Sequence, residues 1–395
     1  MNNANGQPIY LDNAATSYPK PQEVYAAVTN YMTCSGAPFG RGSYAASDEA
    51  SRIVTECRQK VARLLDAASS RQIAFSFNCT DGLNLLLRGL LNANDRVVTT
   101  RLEHNSVLRP LQQLQTDIGI CVEYADFSPE SGLVDLDQLK TLIQAKTTRL
   151  VVLNHASNVT GTIQPVEEVV MLAHEAGALV LLDAAQTAGH LPFSVQGLNV
   201  DMLATAGHKG LLGPLGTGVI YVKTGVETQI SPVRCGGTGT QSESIEQPIC
   251  MPDIFESGNL NMPGLAGLNA ATQWLGKQNL TELHSKITRQ STMLNERLRQ
   301  FDGVTVHSPP NSPNIGIVSF AIEGTDSREA ATILDQSFGI QCRAGFHCAP
   351  LVHQTYATAD IGGSLRLSPG PFTKDADINT AVDAIHQLSD SLNLL

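Results

Sequence analysis

Between residues 72 and 222 the chain alternates short apolar runs with longer amphipathic stretches, and few folds accommodate that pattern. The runs are 72–77, 96–100, 121–125, 149–154, 178–183, 201–205 and 218–222, most of them rich in Val, Leu and Ile. Runs this short and this apolar predict strands covered on both faces. Among them lie helical stretches. The one over 21–31 opens on a proline suited to a helix's first turn, and that over 47–65 carries apolar residues at three- and four-residue spacing. Others span 81–91, 136–145 and 166–176. Strands that alternate with helices in this way predict an α/β fold, a mainly parallel sheet with helices on both faces.

The alternation stops near residue 225. Loop-rich sequence follows through 236–239 and 248–263, and then a long helical segment over 263–301. Strands near 315–322 and 339–343 and helices near 327–336 and 375–392 complete the chain. The expected division is a large α/β domain over 15–262 and a smaller C-terminal α+β domain over 263–395, joined by residues 1–14. A chain of 395 residues, 42% hydrophobic, has enough apolar mass for a core of that size. Its 26 basic and 37 acidic residues leave a net charge of −11, which opposes phosphate backbones and anionic membranes. No run approaches the ~20 apolar residues of a membrane span, and the first ten residues lack a signal pattern. A soluble, cytoplasmic protein is the expectation. Eight cysteines are scattered without a C-x-x-C pair, so most are expected to be buried thiols and no metal site is expected.

Asp183 ends a buried apolar run in ALVLLDAAQTAGH, where an unpartnered carboxylate is costly. Lys209, in TAGHKGLLGPLGTG, follows the next run, with His208 beside it and Gln186 three residues after Asp183. Neighbouring strands would bring the acid and the amine to one edge of the sheet, where α/β folds place their sites. Either residue alone reads as a structural acid or an ordinary loop lysine. Together they suit pyridoxal phosphate (PLP), which needs an amine to bond, a carboxylate at its ring nitrogen and backbone N–H groups for its phosphate. Cys79-Thr80-Asp81-Gly82 opens a helix after the 72–77 run and could offer those N–H groups, although a plain helix cap reads the same way. His104, after the 96–100 run, could cover the ring.

At this point the chain resembles the class V aminotransferase-type PLP enzymes, within the cysteine desulfurase/selenocysteine lyase group. The resemblance runs from YLDNAATSYPKP (10–21) to RLSPGPFTKDADI (366–378). Its most specific stretches are LEHNS (102–106), SNVTGT (157–162), DAAQTAGH (183–190), AGHKGLLGPLGTG (206–218) and RAGFHCAP (343–350). It implies the PLP-dependent transferase fold of aspartate aminotransferase (fold type I), a homodimer, and desulfuration of L-cysteine to L-alanine.

Residue by residue, the resemblance makes Lys209 the lysine that bonds the cofactor and removes the Cα proton. Asp183 meets the pyridinium and Gln186 approaches the ring hydroxyl. His104 stacks on the ring and shuttles protons. Thr80 and His208 hold the phosphate, with Asp81 adding its backbone N–H. Asn158 lies beside the ring hydroxyl and substrate. Arg366 clamps the substrate carboxylate, Arg41 and Arg343 line the entrance, and Cys348 takes the sulfur as a persulfide. Three positions depart from the pattern. Ala206 stands where many relatives carry Ser or Thr. Asn259 replaces a Thr that reaches the partner subunit's phosphate, and Phe346 replaces the first His of a His-His-Cys run. The reading keeps its alternatives: a C–S lyase, a selenocysteine lyase or an aminotransferase that does not use Cys348, and a non-catalytic scaffold or sulfur-carrier partner that only keeps the fold. Selenocysteine, cystine or cysteine sulfinate are alternative substrates. The acceptor is an iron–sulfur scaffold, a small acceptor protein or a thiol reductant.

Overall fold

The computed structural model describes residues 8–40 and 42–393; Arg41, expected at the entrance, lies outside them. In chain order the strands are β1 (Ile9–Tyr10), β2 (Ile73–Ser76), β3 (Arg96–Thr100), β4 (Cys121–Ala125), β5 (Leu150–Asn154), β6 (Leu179–Asp183), β7 (Met202–Ala206), β8 (Gly218–Val222), β9 (Val304–Val306), β10 (Val318–Ile322), β11 (Ile340–Gln341), β12 (Arg343–Gly345) and β13 (Ser364–Leu367). The helices are α1 (Gln22–Asn30), α2 (Ala45–Leu64), α3 (Cys79–Leu90), α4 (Asn105–Ile118), α5 (Leu136–Ala145), α6 (Val166–Glu175), α7 (Met262–Leu275), α8 (Leu280–Leu298), α9 (Ser327–Phe338), α10 (Pro350–Thr355) and α11 (Asp375–Asn393).

All seven apolar runs between 72 and 222 join one seven-stranded sheet, in the order β2-β8-β7-β6-β5-β3-β4. Strands β4, β3, β5, β6 and β7 run parallel, and β8 is antiparallel to both its neighbours. Alternate residues face opposite layers, as strand geometry requires. Val151, Leu153, Val180 and Leu182 pack towards α2, α5, α6 and α7, whereas Leu150, Val152 and Leu181 pack towards α3 and α4. Each such fully buried aliphatic side chain contributes about 1.5–3 kcal/mol. That two-sided cover explains the unbroken apolar runs. No described helix is long and apolar enough to cross a membrane.

The C-terminal unit is a four-stranded antiparallel sheet, β12-β13-β10-β9, under α8, α9 and α11. Residues 9–11 belong to its core: β1 pairs in parallel with β11, and Ile9 and Leu11 pack beside Phe320, Leu334 and Leu367. Two expectations are corrected. The segment 263–301 is two helices, because Asn279 restarts the backbone as the cap of α8. The first of them, α7, packs Leu265, Leu268, Ala271 and Leu275 into the large sheet's core. Packing therefore changes allegiance within α8, after Leu280, rather than at 263. A third helix, α4, was not expected from the sequence; its outward face is polar, Pro110 lies inside it, and His104 caps it.

Candidate active site

A cavity of about 480 Å³ opens at the carboxyl edge of the large sheet. Five parallel-directed strands deliver its walls. β2 leads to Asn78, Cys79 and Thr80; β3 to His104 and Ser106; β5 to Asn154, Ala156 and Asn158; β6 to Asp183, Ala185 and Gln186; β7 to Ala206, His208 and Lys209. The register sets these ends level, since Asn154 pairs with Asp183 and Asp183 with Ala204.

Asp183 is 5% exposed, and its Oδ1 accepts from the Ala185 N–H (2.9 Å) and the Cys79 thiol (3.4 Å). Burial pushes its carboxyl up; the Ala185 N–H, Lys209 and Cys79 oppose that. Burial lowers the Lys209 amine against the pull of Asp183, which favours its nucleophilic, neutral form. The two loops that carry this pair meet backbone to backbone. A Cβ on Gly189 (φ +82°) would lie 2.3 Å from the Gly210 carbonyl oxygen, and one on Gly210 would lie 2.4 Å from that of Ala188. Only glycine permits that approach.

The N-terminus of α3 points into the same cavity wall. Asn78 caps it, its Oδ1 accepting the Asp81 N–H at 2.9 Å. This corrects the expectation for Asp81, whose N–H is already occupied and whose carboxylate accepts from the Phe77 N–H (2.9 Å) and faces Arg234 (3.5 Å). Thr80 does line the cavity. The helix end favours an anion through its remaining first-turn N–H groups and its dipole. His104 caps α4, its Nδ1 accepting from the Ser106 N–H at 3.0 Å. Burial, followed by the positive charge of Lys209, lowers its pKa to about 3, so the ring is neutral. His208 is likewise lowered to about 4, chiefly by burial. Gln186 donates to the Ala14 carbonyl at 3.1 Å.

Cys348 lies on the loop between β12 and α10, outside the cavity walls. His347 (φ +47°) and Cys348 (φ +59°) are both left-handed, a conformation that costs about 1–3 kcal/mol per residue and persists where surroundings impose it. The surroundings are visible. The Cys348 carbonyl accepts from the Asn105 N–H (2.7 Å), and the His347 carbonyl from Asn158 Nδ2 (2.6 Å). The loop is thus fastened to the two segments that carry His104 and Asn158 into the cavity. His347 Nε2 is bonded to the Ser364 carbonyl (3.0 Å), and the Cys348 sulfur lies 3.9 Å from Arg343 Nη2. Phe346 packs edge-on against His353, with ring centroids 5.3 Å apart.

Arg366 is 1% exposed, and its fork is taken: Nη2 binds Asp12 (2.8 Å) and Nη1 the Asn158 carbonyl (2.9 Å). Its Nε stays buried without a partner, so the guanidinium expected to clamp a substrate carboxylate keeps one donor uncommitted. Arg343 is its register neighbour across β12 and β13. Asn259 is exposed and lines a separate small cavity beside Phe77 and Arg234, which shares only Gly216 with the larger one. The sequence reading missed Asp12 and Asn78. The latter had a signal, an Asn three residues before Asp81 at a strand-to-helix turn.

The residues present fit PLP on the chemistry of this cavity. Besides the amine, the carboxylate and the helix end, its walls hold polar atoms without any partner: Asn154 Oδ1, Asn158 Oδ1 and His208 Nδ1. Buried polar atoms of this kind call for a ligand or water.

The aminotransferase class-V family model matches residues 9–380. A probable cysteine desulfurase of Methanothermobacter thermautotrophicus is 34% identical over 387 residues, 96% of this chain and 94% of the relative. The cysteine desulfurase of Shigella sonnei is 30% identical over 97% of this chain and 95% of its own length. Among solved structures, the apo cysteine desulfurase of Thermococcus onnurineus superposes with a TM-score of 0.90 at 31% identity, covering 97% of this chain and 95% of that one. A cysteine desulfurase of Escherichia coli gives a TM-score of 0.86 at 29% identity, over 98% and 95%. Enzymes of this family in general depend on PLP. Since the match takes in all three sheets and each strand end that reaches the cavity, the chain belongs to the class-V aminotransferase family, in its cysteine desulfurase branch.

Proposed function

We propose that the protein is a PLP-dependent desulfurase that converts L-cysteine to L-alanine and takes the sulfur onto Cys348 as a persulfide. The observation that carries this reading is the cavity shared by Lys209 and Asp183, with the Cys348 loop fastened to its His104 and Asn158 walls. PLP supplies, when bound, an electron sink for bond cleavage at the substrate. Lys209 would bond it and then move the Cα proton at Nζ. Asp183 would keep the proton on the ring nitrogen. Thr80, His208 and the α3 N-terminus would hold the phosphate, Gln186 and Asn158 the ring hydroxyl, and neutral His104 the ring face. Cys348 attacks the substrate sulfur as a thiolate. The S–S bond forms as the C–S bond breaks and Cβ gains a proton, so cysteine plus thiol balances alanine plus persulfide. Arg343 gives that sulfur a cationic neighbour 3.9 Å away.

Exposed Phe77 and Leu215, beside Asn259 and Gly216, support a homodimer in which this face meets a second copy. The eight cysteines are all free, in keeping with a reducing, cytoplasmic setting, although only Cys57 and Cys79 are buried where most were expected to be.

The test is to load the protein with PLP, add L-cysteine and quantify alanine and sulfide. Cys348→Ser should lower both on the order of 100-fold or more while keeping the cofactor's visible absorption. Pyruvate or a transaminated product, undiminished in that variant, would establish a lyase or aminotransferase instead.

A further inference from the structure

We infer that Cys79 is a positioning residue for Asp183, its S–H holding one carboxylate oxygen so that the other is left for the ring nitrogen of PLP. The inference rests on the proposed function. Cys79 is the first residue of α3, is 7% exposed and lines the cavity. Its thiol lies 3.4 Å from Asp183 Oδ1, across 104 positions of chain. The same oxygen accepts the Ala185 N–H at 2.9 Å. A carboxylate held only by its own loop could still swing with that loop. The second donor comes from another element, the first residue of α3, and fixes Oδ1 from a second direction. With Oδ1 doubly engaged, Oδ2 is the acceptor left for a ligand. Burial and the adjacent carboxylate push the Cys79 thiol well above the ordinary thiol range, so it acts as an S–H donor and not as a thiolate.

Cys79 also packs in the apolar layer with Leu83 and Ala204, and a packing role makes the opposite forecast. Alanine keeps the apolar contact and removes the donor; serine keeps a donor and adds polarity. The experiment compares Cys79→Ala and Cys79→Ser by three readouts. These are the PLP dissociation constant, the pH midpoint of the bound cofactor's visible band, and the melting temperature of the cofactor-free protein. The positioning role expects Cys79→Ala to bind PLP about three- to tenfold more weakly and to move the pH midpoint, with Cys79→Ser within about twofold of the parent. Melting temperatures should not follow that order. If Cys79→Ala matched the parent in affinity and midpoint, and only Cys79→Ser fell, Cys79 would be a packing residue and the inference would be overturned alone. If the parent protein bound no PLP, the inference and the proposed function would fall together.

Discussion

Glu103 is wholly buried beside His104, its Oε1 accepting from Thr100 Oγ1 (2.8 Å) and the Asn154 N–H (3.0 Å) while Oε2 has no partner. Burial, with the charge of Asp183 adding to it, pushes its pKa up to about 8. The folded chain therefore keeps a proton that the unfolded chain releases above roughly pH 4.3. The associated stability is complete below that pH and is lost as pH rises towards 8, at about 1.4 kcal/mol per unit at most. Glu103→Gln keeps the accepting oxygen and removes the titration. Urea unfolding at pH 5, 6.5 and 8 should show the variant gaining on the parent as pH rises; a constant difference would exclude the mechanism. At this scale the sequence was legible where chemistry and strand ends coincide. Asp183 and Lys209 each close or follow an apolar run, so their meeting could be foreseen. Asp12 could not, because its hold on Arg366 depends on a bond across 354 positions.

Among elements, a buried fork is the main charged anchor of the segment carrying Asn259. Arg58 of α2 grips Glu256 through two bonds of 2.7 and 2.8 Å, and the same carboxylate accepts the Phe75 N–H of β2 at 2.7 Å. The side chains are only 10% and 4% exposed, and the guanidinium lies over the Phe75 ring at 4.7 Å. Removing one partner leaves a buried charge, so Glu256→Ala should cost about 3–5 kcal/mol in denaturant unfolding. Arg58→Met with Glu256→Leu should recover much of that, and a single variant costing under about 1 kcal/mol would show the fork to be dispensable. Strands were legible at this scale because cover on both faces leaves no polar interruption. The break between α7 and α8 also left a signal that the reading of one long helix passed over: residues 276–279 are Gly-Lys-Gln-Asn, a glycine at the end of α7 and the Asn279 cap of α8 with Glu282 three residues on.

For the whole molecule, the alternation of runs predicted the sheet and the edge where the site would lie, but strand order and the allegiance of the N-terminal segment are long-range facts. Neighbouring strands β5, β6 and β7 follow one another in sequence, whereas β1 must find β11. Loop closure over such a span is slow. Pulsed hydrogen exchange during refolding should protect Leu181 and Leu182 amides before those of Ile9 and Leu11, which donate to Gly339 and Gln341. Earlier protection of Ile9 would refute this order.

The same pairing has a consequence for synthesis. Asn13 bonds Ser368 across 355 positions, a length of chain that a ribosome makes in roughly 20–70 s at about 5–20 residues per second. For most of that interval Ile9 and Leu11 lack their strand partner, since Ile340 lies 331 positions beyond Ile9. An apolar, unpaired strand is a template for wrong pairing. We therefore expect this first segment, rather than the large sheet, to be where a nascent-chain chaperone must hold the protein until β11 is made.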